Sequence, residues 1–196
     1  MIANLYKIID ETPINKTSLM KLVPVLKELD ELEFYHPAHL YGVLDHSIKA
    51  AETLDDIFLR LVLIFHDVGK LVTATKVINK NKRSQDVTKF PNHQQESVRI
   101  VSELFKNELD TKPLEILLKL IEYHDTPLIT GNNEEVMDKL IEVYGMDFVG
   151  KLLKVQKADM ITHEKTYYER FVKVRLNKVT KIYEKRLKLA KEKMIL

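Results

Sequence analysis

Apolar residues recur along this chain at helical spacing. From Ser18 to Leu32 they put Leu19, Leu22, Val25, Leu26 and Leu29 on one face, which predicts a single helix despite Pro24. The string Phe34-Tyr35-His36-Pro37 breaks the pattern. Two more helices are expected, from about 38 to 53 and from about 55 to 67, with Gly69 placed to end the second. Residues 72 to 90 show no apolar period and read as a long exposed loop with room for a short hairpin. Helices resume over about 92 to 107 and 112 to 124, where Pro113 fits a first turn. After a loop bracketed by Thr126-Pro127 and Gly131-Asn132-Asn133, a helix begins at Glu134, with Asn132 or Asn133 as its cap. Gly145 ends it, and residues 146 to 163 form the next. From Glu164 onward, Val172, Leu176, Val179, Tyr183, Leu187, Ala190 and Met194 line one stripe of a long amphipathic helix. The expectation is an all-α fold, with residues 1–163 as a helical domain and 164–196 as a C-terminal helix packed on it.

Composition narrows the chemistry. The 196 residues are 45% hydrophobic and 31% charged, which is enough for one folded domain, and 5 Gly with 6 Pro argue against a turn-rich β-sandwich. There is no cysteine, so disulfides, thiolate zinc sites, iron–sulfur clusters and thiol nucleophiles are excluded. Any metal must be held by His, Asp or Glu. The net charge of +2 conceals an asymmetry: from Glu164 there are 11 basic residues against 4 acids, and before it 20 against 25. The opening string MIANLYKIIDET has no basic region or long apolar run, so no signal peptide is expected there. The longest apolar run, Leu61 to Phe65, is far too short to span a membrane, and the expected location is the cytoplasm.

His66 and Asp67 follow that apolar run directly, where an unpaired charge is costly. His46 lies 20 residues upstream on the preceding helix. With a turn near Leu54 and antiparallel helices, the two imidazoles differ in axial height by only about 6 Å, so both reach one metal. Asp159, an acid between Ala158 and Met160, is a fourth candidate. Such a set suits Mn, Fe, Co, Ni, Zn or Mg. His93 and His124 stand at the ends of other helices. If they face the same cavity they complete a second site, with Asp67 as the bridge and two ions about 3.5–4 Å apart on a phosphoryl group.

The order His46, His66-Asp67, Asp159, with the string HDVGK, resembles the HD superfamily of metal-dependent phosphohydrolases. FHDVGK, the basic loop, FPNHQQESVRIVSELF, LIEYH and KVQKADM together resemble the HD domain attached to tRNA nucleotidyltransferases and poly(A) polymerases, over about 37 to 163. In that group a Gly usually precedes the third His and a Glu follows it; here Asn92 and Gln94 stand there. No Gly-Ser plus Asp-x-Asp head is present, so nucleotidyl transfer is not expected of these residues. The resemblance implies an HD-domain helical bundle with one or two divalent ions held by His46, His66, Asp67 and Asp159, and by His93 and His124 for the second. Alternatively, His93 and His124 contact the substrate phosphate. Lys70 would neutralise that phosphate, and with Asp67 it carries the catalysis, in which a metal-activated water attacks phosphorus in line.

The implied partner is a phosphorylated small molecule, a nucleotide first, with RNA as a second class. His36, His39 and His163 match no element and read as structural or solvated, and Asp125 reads as a turn former. Lys76, Lys80, Lys82, Arg83 and Lys89 suit either a lid that steers polyanions or a solvated loop. Tyr167, Tyr168 and Phe171, among Lys165, Arg170 and Lys173, could stack RNA bases, while the apolar stripe beyond them packs on the core or on a partner helix. The alternative to an enzyme is therefore a non-catalytic module that binds RNA or protein through its basic tail.

Overall fold

The computed structural model describes residues 1–34, 41–77, 87–126, 128, 133–163, 165 and 168–193. The chain opens with a helix that the apolar spacing did not announce, α1 (Ile2–Asp10), whose Leu5 and Ile9 are fully buried. The single helix expected from 18 to 32 is instead two, α2 (Lys16–Leu22) and α3 (Val25–Asp30). They part at Pro24, which has no amide proton for a helical hydrogen bond. The Asn15 side chain caps α2 by accepting from the Ser18 amide at 2.9 Å.

Helices α4 (Val43–Glu52) and α5 (Ile57–Phe65) pack together across a short turn. The start expected near Ala38 is corrected to Val43; residues 35–40, with His36 and His39, lie outside the described residues. The Asp56 carboxylate caps α5 by accepting from the amides of Phe58 and Leu59 at 3.0 and 3.2 Å. From Leu59 to Phe65 every residue of α5 is buried, because α1, α4, α8 and α9 all pack on it. Arg60 is the polar member of that run. Its guanidinium donates to the carbonyls of Leu54, Ile9, Asp10 and Glu11, and so satisfies the otherwise open C-terminal end of α1. Phe65 meets Phe105 edge-on at 5.2 Å, a contact worth about 0.5–1.5 kcal/mol beyond its buried area.

Gly69 does not end α5 as a left-handed cap. Its φ is −66°, and the chain winds through it into the short α6 (Lys70–Thr73). The glycine is required by proximity: a Cβ there would strike the His93 carbonyl oxygen and the Ser97 amide nitrogen of α7 (His93–Phe105). The Gly69 amide donates to Ser97 Oγ at 2.8 Å in the same contact. The stretch read as a loop holds an antiparallel hairpin, β1 (Thr75–Val77) with β2 (Val87–Lys89), pairing Thr75 with Lys89. Its tip, 78–86, lies outside the described residues and takes Lys80, Lys82 and Arg83 with it.

Helix α8 (Thr111–Tyr123) leads to α9 (Asn133–Ile161), which bends at Gly145, where φ is +83°. The expected break is thus a kink at a residue that tolerates positive φ. The expected continuous tail helix is corrected too. A π-helical turn (Tyr168–Val172) precedes α10 (Lys173–Lys193), and Glu164, Thr166, Tyr167 and Met194 fall outside the described residues. Val172 and Leu176 pack with Met160 and Tyr168, and Val179 enters the main core. The Tyr183 hydroxyl donates to the Met146 carbonyl at 3.1 Å in the space above Gly150. Among the described residues no helix is long and apolar enough to cross a membrane.

Candidate metal centre

Each histidine of the centre stands where a helix starts or stops, except His46, which lies within α4. His66 is the residue after α5, His93 the first of α7 and His124 the residue after α8. Asp67 follows in the turn below His66, and Asp159 reaches in from the last turn of α9. All six side chains are buried, with exposures between 1% and 7%. The structure brings them to one cleft, with the His46 and His66 rings 5.8 Å apart and the His66 and His124 rings 4.9 Å apart.

Local hydrogen bonds fix which nitrogen faces inward. Nδ1–H of His66 donates to the Leu63 carbonyl at 2.7 Å, that of His124 to Ile121 at 2.7 Å, and that of His93 to Phe90 at 3.0 Å. The Thr162 hydroxyl gives its proton to the Asp159 carbonyl at 2.7 Å and so accepts from Nδ1–H of His46 at 3.0 Å. In every neutral ring the Nε2 lone pair is therefore left for the cleft. Those lone pairs face other acceptors. His46 Nε2 is 2.7 Å from Asp159 Oδ1, His93 Nε2 is 3.3 Å from His124 Nε2, and His93 Nε2 is 3.1 Å from Asp67 Oδ1. His66 Nε2 and Asp67 Oδ1 are buried and make no aligned hydrogen bond. Acceptors at such separations need a cation among them, and the residues present fit a divalent metal. Two groups bring their ligand atoms within 4.8 Å of one another, His46 with His66 and Asp67, and Asp67 with His93 and His124. Asp67 is common to both.

Protons reveal the same demand. Burial alone opposes charge on His66, yet the Asp67 and Asp159 carboxylates outweigh it and hold the ring's pKa up at about 10. Burial likewise works against the charged form of Asp67, but the His66 ring and the Lys70 ammonium overcome it and keep this carboxyl well below its usual range. Asp159 is held down in the same way by His46 and His66. Lys70 is buried, with Nζ 2.6 Å from Asp67 Oδ2 and 5.3 Å from the centre of the Phe90 ring. Its ammonium is thus already engaged with a candidate ligand.

The cleft has a volume of about 260 Å³, and the hairpin supplies one wall through Thr88 and Lys89. His163 and Asp125 line it too, and neither was read as a site residue. Of the two readings offered for His163, structural or solvated, the contacts favour the first, and it also lines the cleft: its ring is 5.3 Å from that of His46, and its Nδ1–H donates to the Asp159 carbonyl at 3.2 Å. Asp125 stands at the mouth, 3.4 Å from His93 Nε2 and 3.7 Å from His124 Nε2. A second His-Asp pair, His124-Asp125, was the signal for it. Gln156 donates to the carbonyls of Thr126 and Tyr123 and so holds the turn that carries both. Asn92 adopts φ +57°, in the left-handed region that Asn tolerates best after Gly. Gln94 donates to Asp125 at 2.9 Å.

The family model described as HD domain matches residues 38–174 of the chain. A comparison with curated proteins finds no match.

Proposed function

The chain belongs to the HD-domain family, and from that premise we propose that it is a metal-dependent phosphohydrolase acting on the phosphomonoester or phosphodiester of a nucleotide or an RNA end. One observation carries the reading: four imidazoles with Nδ1 engaged turn Nε2 toward two buried carboxylates. His46, His66 and Asp67 would hold one ion, with Asp159 beside them, and Asp67, His93 and His124 a second. A divalent ion there supplies charge for the phosphoryl oxygens and acidifies a water to serve as the nucleophile. If a single ion binds at the first group, His93 and His124 are free to contact the phosphate.

The side chains around it position the substrate. Lys70 uses one N–H on Asp67 and has two more for a phosphate oxygen. Phe90 lies under that ammonium and meets Phe34 edge-on at 5.6 Å, so the wall beside the phosphate is apolar and excludes water. A cleft of about 260 Å³ is small beside ligand pockets of roughly 300–1,000 Å³, which suits a phosphate with part of its ester group inside and the remainder outside.

The test is metal analysis of protein purified without chelators, together with a panel of nucleotides, cyclic nucleotides, phosphorylated RNA ends and aryl phosphates assayed with Mn, Ni, Co and Mg. Bound metal and metal-dependent phosphate release are expected. Neither metal nor hydrolysis under any of these conditions overturns the reading.

A further inference from the structure

Helix α10 exposes Lys178, Lys181, Lys185 and Lys188, at spacings of 3, 4 and 3, so the four share one strip about 15 Å long. Among the described residues Lys178, Lys181 and Lys185 form no ion pair, and Lys188 has only Glu192 at 3.9 Å. Other helical lysines are paired: Lys27, Lys139, Lys151 and, at the start of α10, Lys173 each have a carboxylate four residues away. Like charges at these spacings destabilise a helix by about 0.2–0.5 kcal/mol per pair, so the strip works against its own helix until an anion lies on it.

The opposite face of α10 is already used. Val172, Leu176 and Val179 are buried against the rest of the fold, and the large exposed apolar side chains among the described residues of the helix, Val174 and Leu189, stand about four turns apart and make no continuous face to sink into a bilayer. A straight row of ammonium groups on flexible stems matches a linear polyanion, and lysines contacting phosphates carry no base readout. The segment also starts near the cleft. Tyr168, at its start, and Met160, which lines the cleft, pack on the same Val172 and Leu176 cluster, and Lys178 lies roughly 15 Å farther along from Tyr168.

We propose that the lysine strip of α10 binds the phosphodiester backbone of single-stranded nucleic acid without sequence preference. The bound strand then runs toward the cleft, a step that rests on the phosphohydrolase reading above.

Fluorescence anisotropy with short labelled RNA and DNA strands, titrated with the full chain at several salt concentrations, tests the surface without using hydrolysis. Four phosphate contacts predict a slope of log affinity against log salt of about −3, at roughly 0.7 per contact. The combined Lys178→Gln, Lys181→Gln, Lys185→Gln and Lys188→Gln variant is expected to lose at least about tenfold in affinity at low salt and nearly all of that slope. Its melting temperature should hold or rise slightly, because the like-charge pairs are relieved, and its hydrolysis of a small aryl phosphate should not change. His66→Ala should bind strands as the parent does, so a failed hydrolase reading leaves this test intact. Binding of either strand with that salt dependence supports the surface, and the ratio of the two affinities tells which nucleic acid it prefers. No binding of either strand at low salt, an unchanged slope in the combined variant, or binding to phosphatidylserine vesicles in place of strands overturns it.

Discussion

The cleft and the outer face of α10 both concentrate charge, and the fold treats them in opposite ways. In the cleft, Asp67 and Asp159 are 2% and 5% exposed, and every carboxylate and imidazole has a neighbour of complementary or shareable charge within about hydrogen-bond reach. On α10, Lys178, Lys181 and Lys185 stand in water with no ion pair among the described residues, and Lys188 has only Glu192 at 3.9 Å. Desolvation explains the contrast. A buried charge without a partner costs several kcal/mol, so the cleft has to be closely determined, down to the backbone carbonyl that holds each Nδ1–H. An exposed charge costs little, so its partner can come from outside, at a strength that salt controls. The cleft has the donor set to hold an ion in fixed geometry; the strip has exposed charge that an anion can meet.

The largest expected effect comes from removing the residue common to both metal groups. Asp67→Ala leaves Lys70 buried with no carboxylate beside it, and breaking a buried pair in this way costs about 3–5 kcal/mol. Denaturant melts should show that loss, and metal analysis and activity assays should show neither metal nor turnover. A loss no greater than that from neutralising an α10 lysine would end the contrast between the two regions.

Acidity separates them next. The folded pKa of His66, about 10, lies above its ordinary 6.5, so in metal-free protein its contribution to stability is complete below pH 6.5 and is lost as pH rises through about 10. The Asp67 and Asp159 pKa values are lowered, so their contribution is present above 3.8 and lost only as pH falls through their depressed folded values. Thermal melts in chelator should therefore decline from pH 6.5 toward 10, whereas metal-loaded protein, with His66 already deprotonated, should show a flatter profile. A flat profile for the metal-free protein would mean the carboxylates do not hold that proton.

A smaller effect tests the support around the ligands. Thr162→Val removes the hydroxyl that joins His46 Nδ1 to the Asp159 carbonyl, and outer contacts of this type change metal affinity by about 10–100-fold. Competition with a chelator reads the change. Equal affinity in the variant would show that His46 is oriented by packing alone.

Thr162 also marks where sequence reading stops. Helical spacing announced α5, α7, α8 and the bend at Gly145, because long apolar faces repeat often enough to stand out. It missed α1, whose two core contacts fall within nine residues, and it ran through Pro24 because the flanking leucines keep phase across the break. The six His and Asp residues that meet in the cleft stood out through residue type and order. His163, Asp125, Thr162 and Gln156 did not, since each matters through where a turn places it and which carbonyl it reaches. Gly69 was noticed for the wrong reason: its role depends on an α7 backbone that lies 24 residues later in the chain.

The smallest expected effect bears on whether the α10 strip is free. Lys181→Glu would place a carboxylate four residues before Lys185, the favourable orientation for such a pair, and would remove its repulsion with Lys178 and Lys185. Each relieved or gained contact is worth about 0.2–0.5 kcal/mol, so the denaturation midpoint should rise slightly while strand affinity falls. Both changes should shrink as salt is added, because exposed charges are screened over about 10 Å at 0.1 M. A gain in stability coupled to a loss of binding is what an unpaired surface charge kept for a partner should give. A loss of stability above about 1 kcal/mol would instead mean that Lys181 supports the fold as the buried Lys70 does, and the two regions would then differ in position rather than in kind.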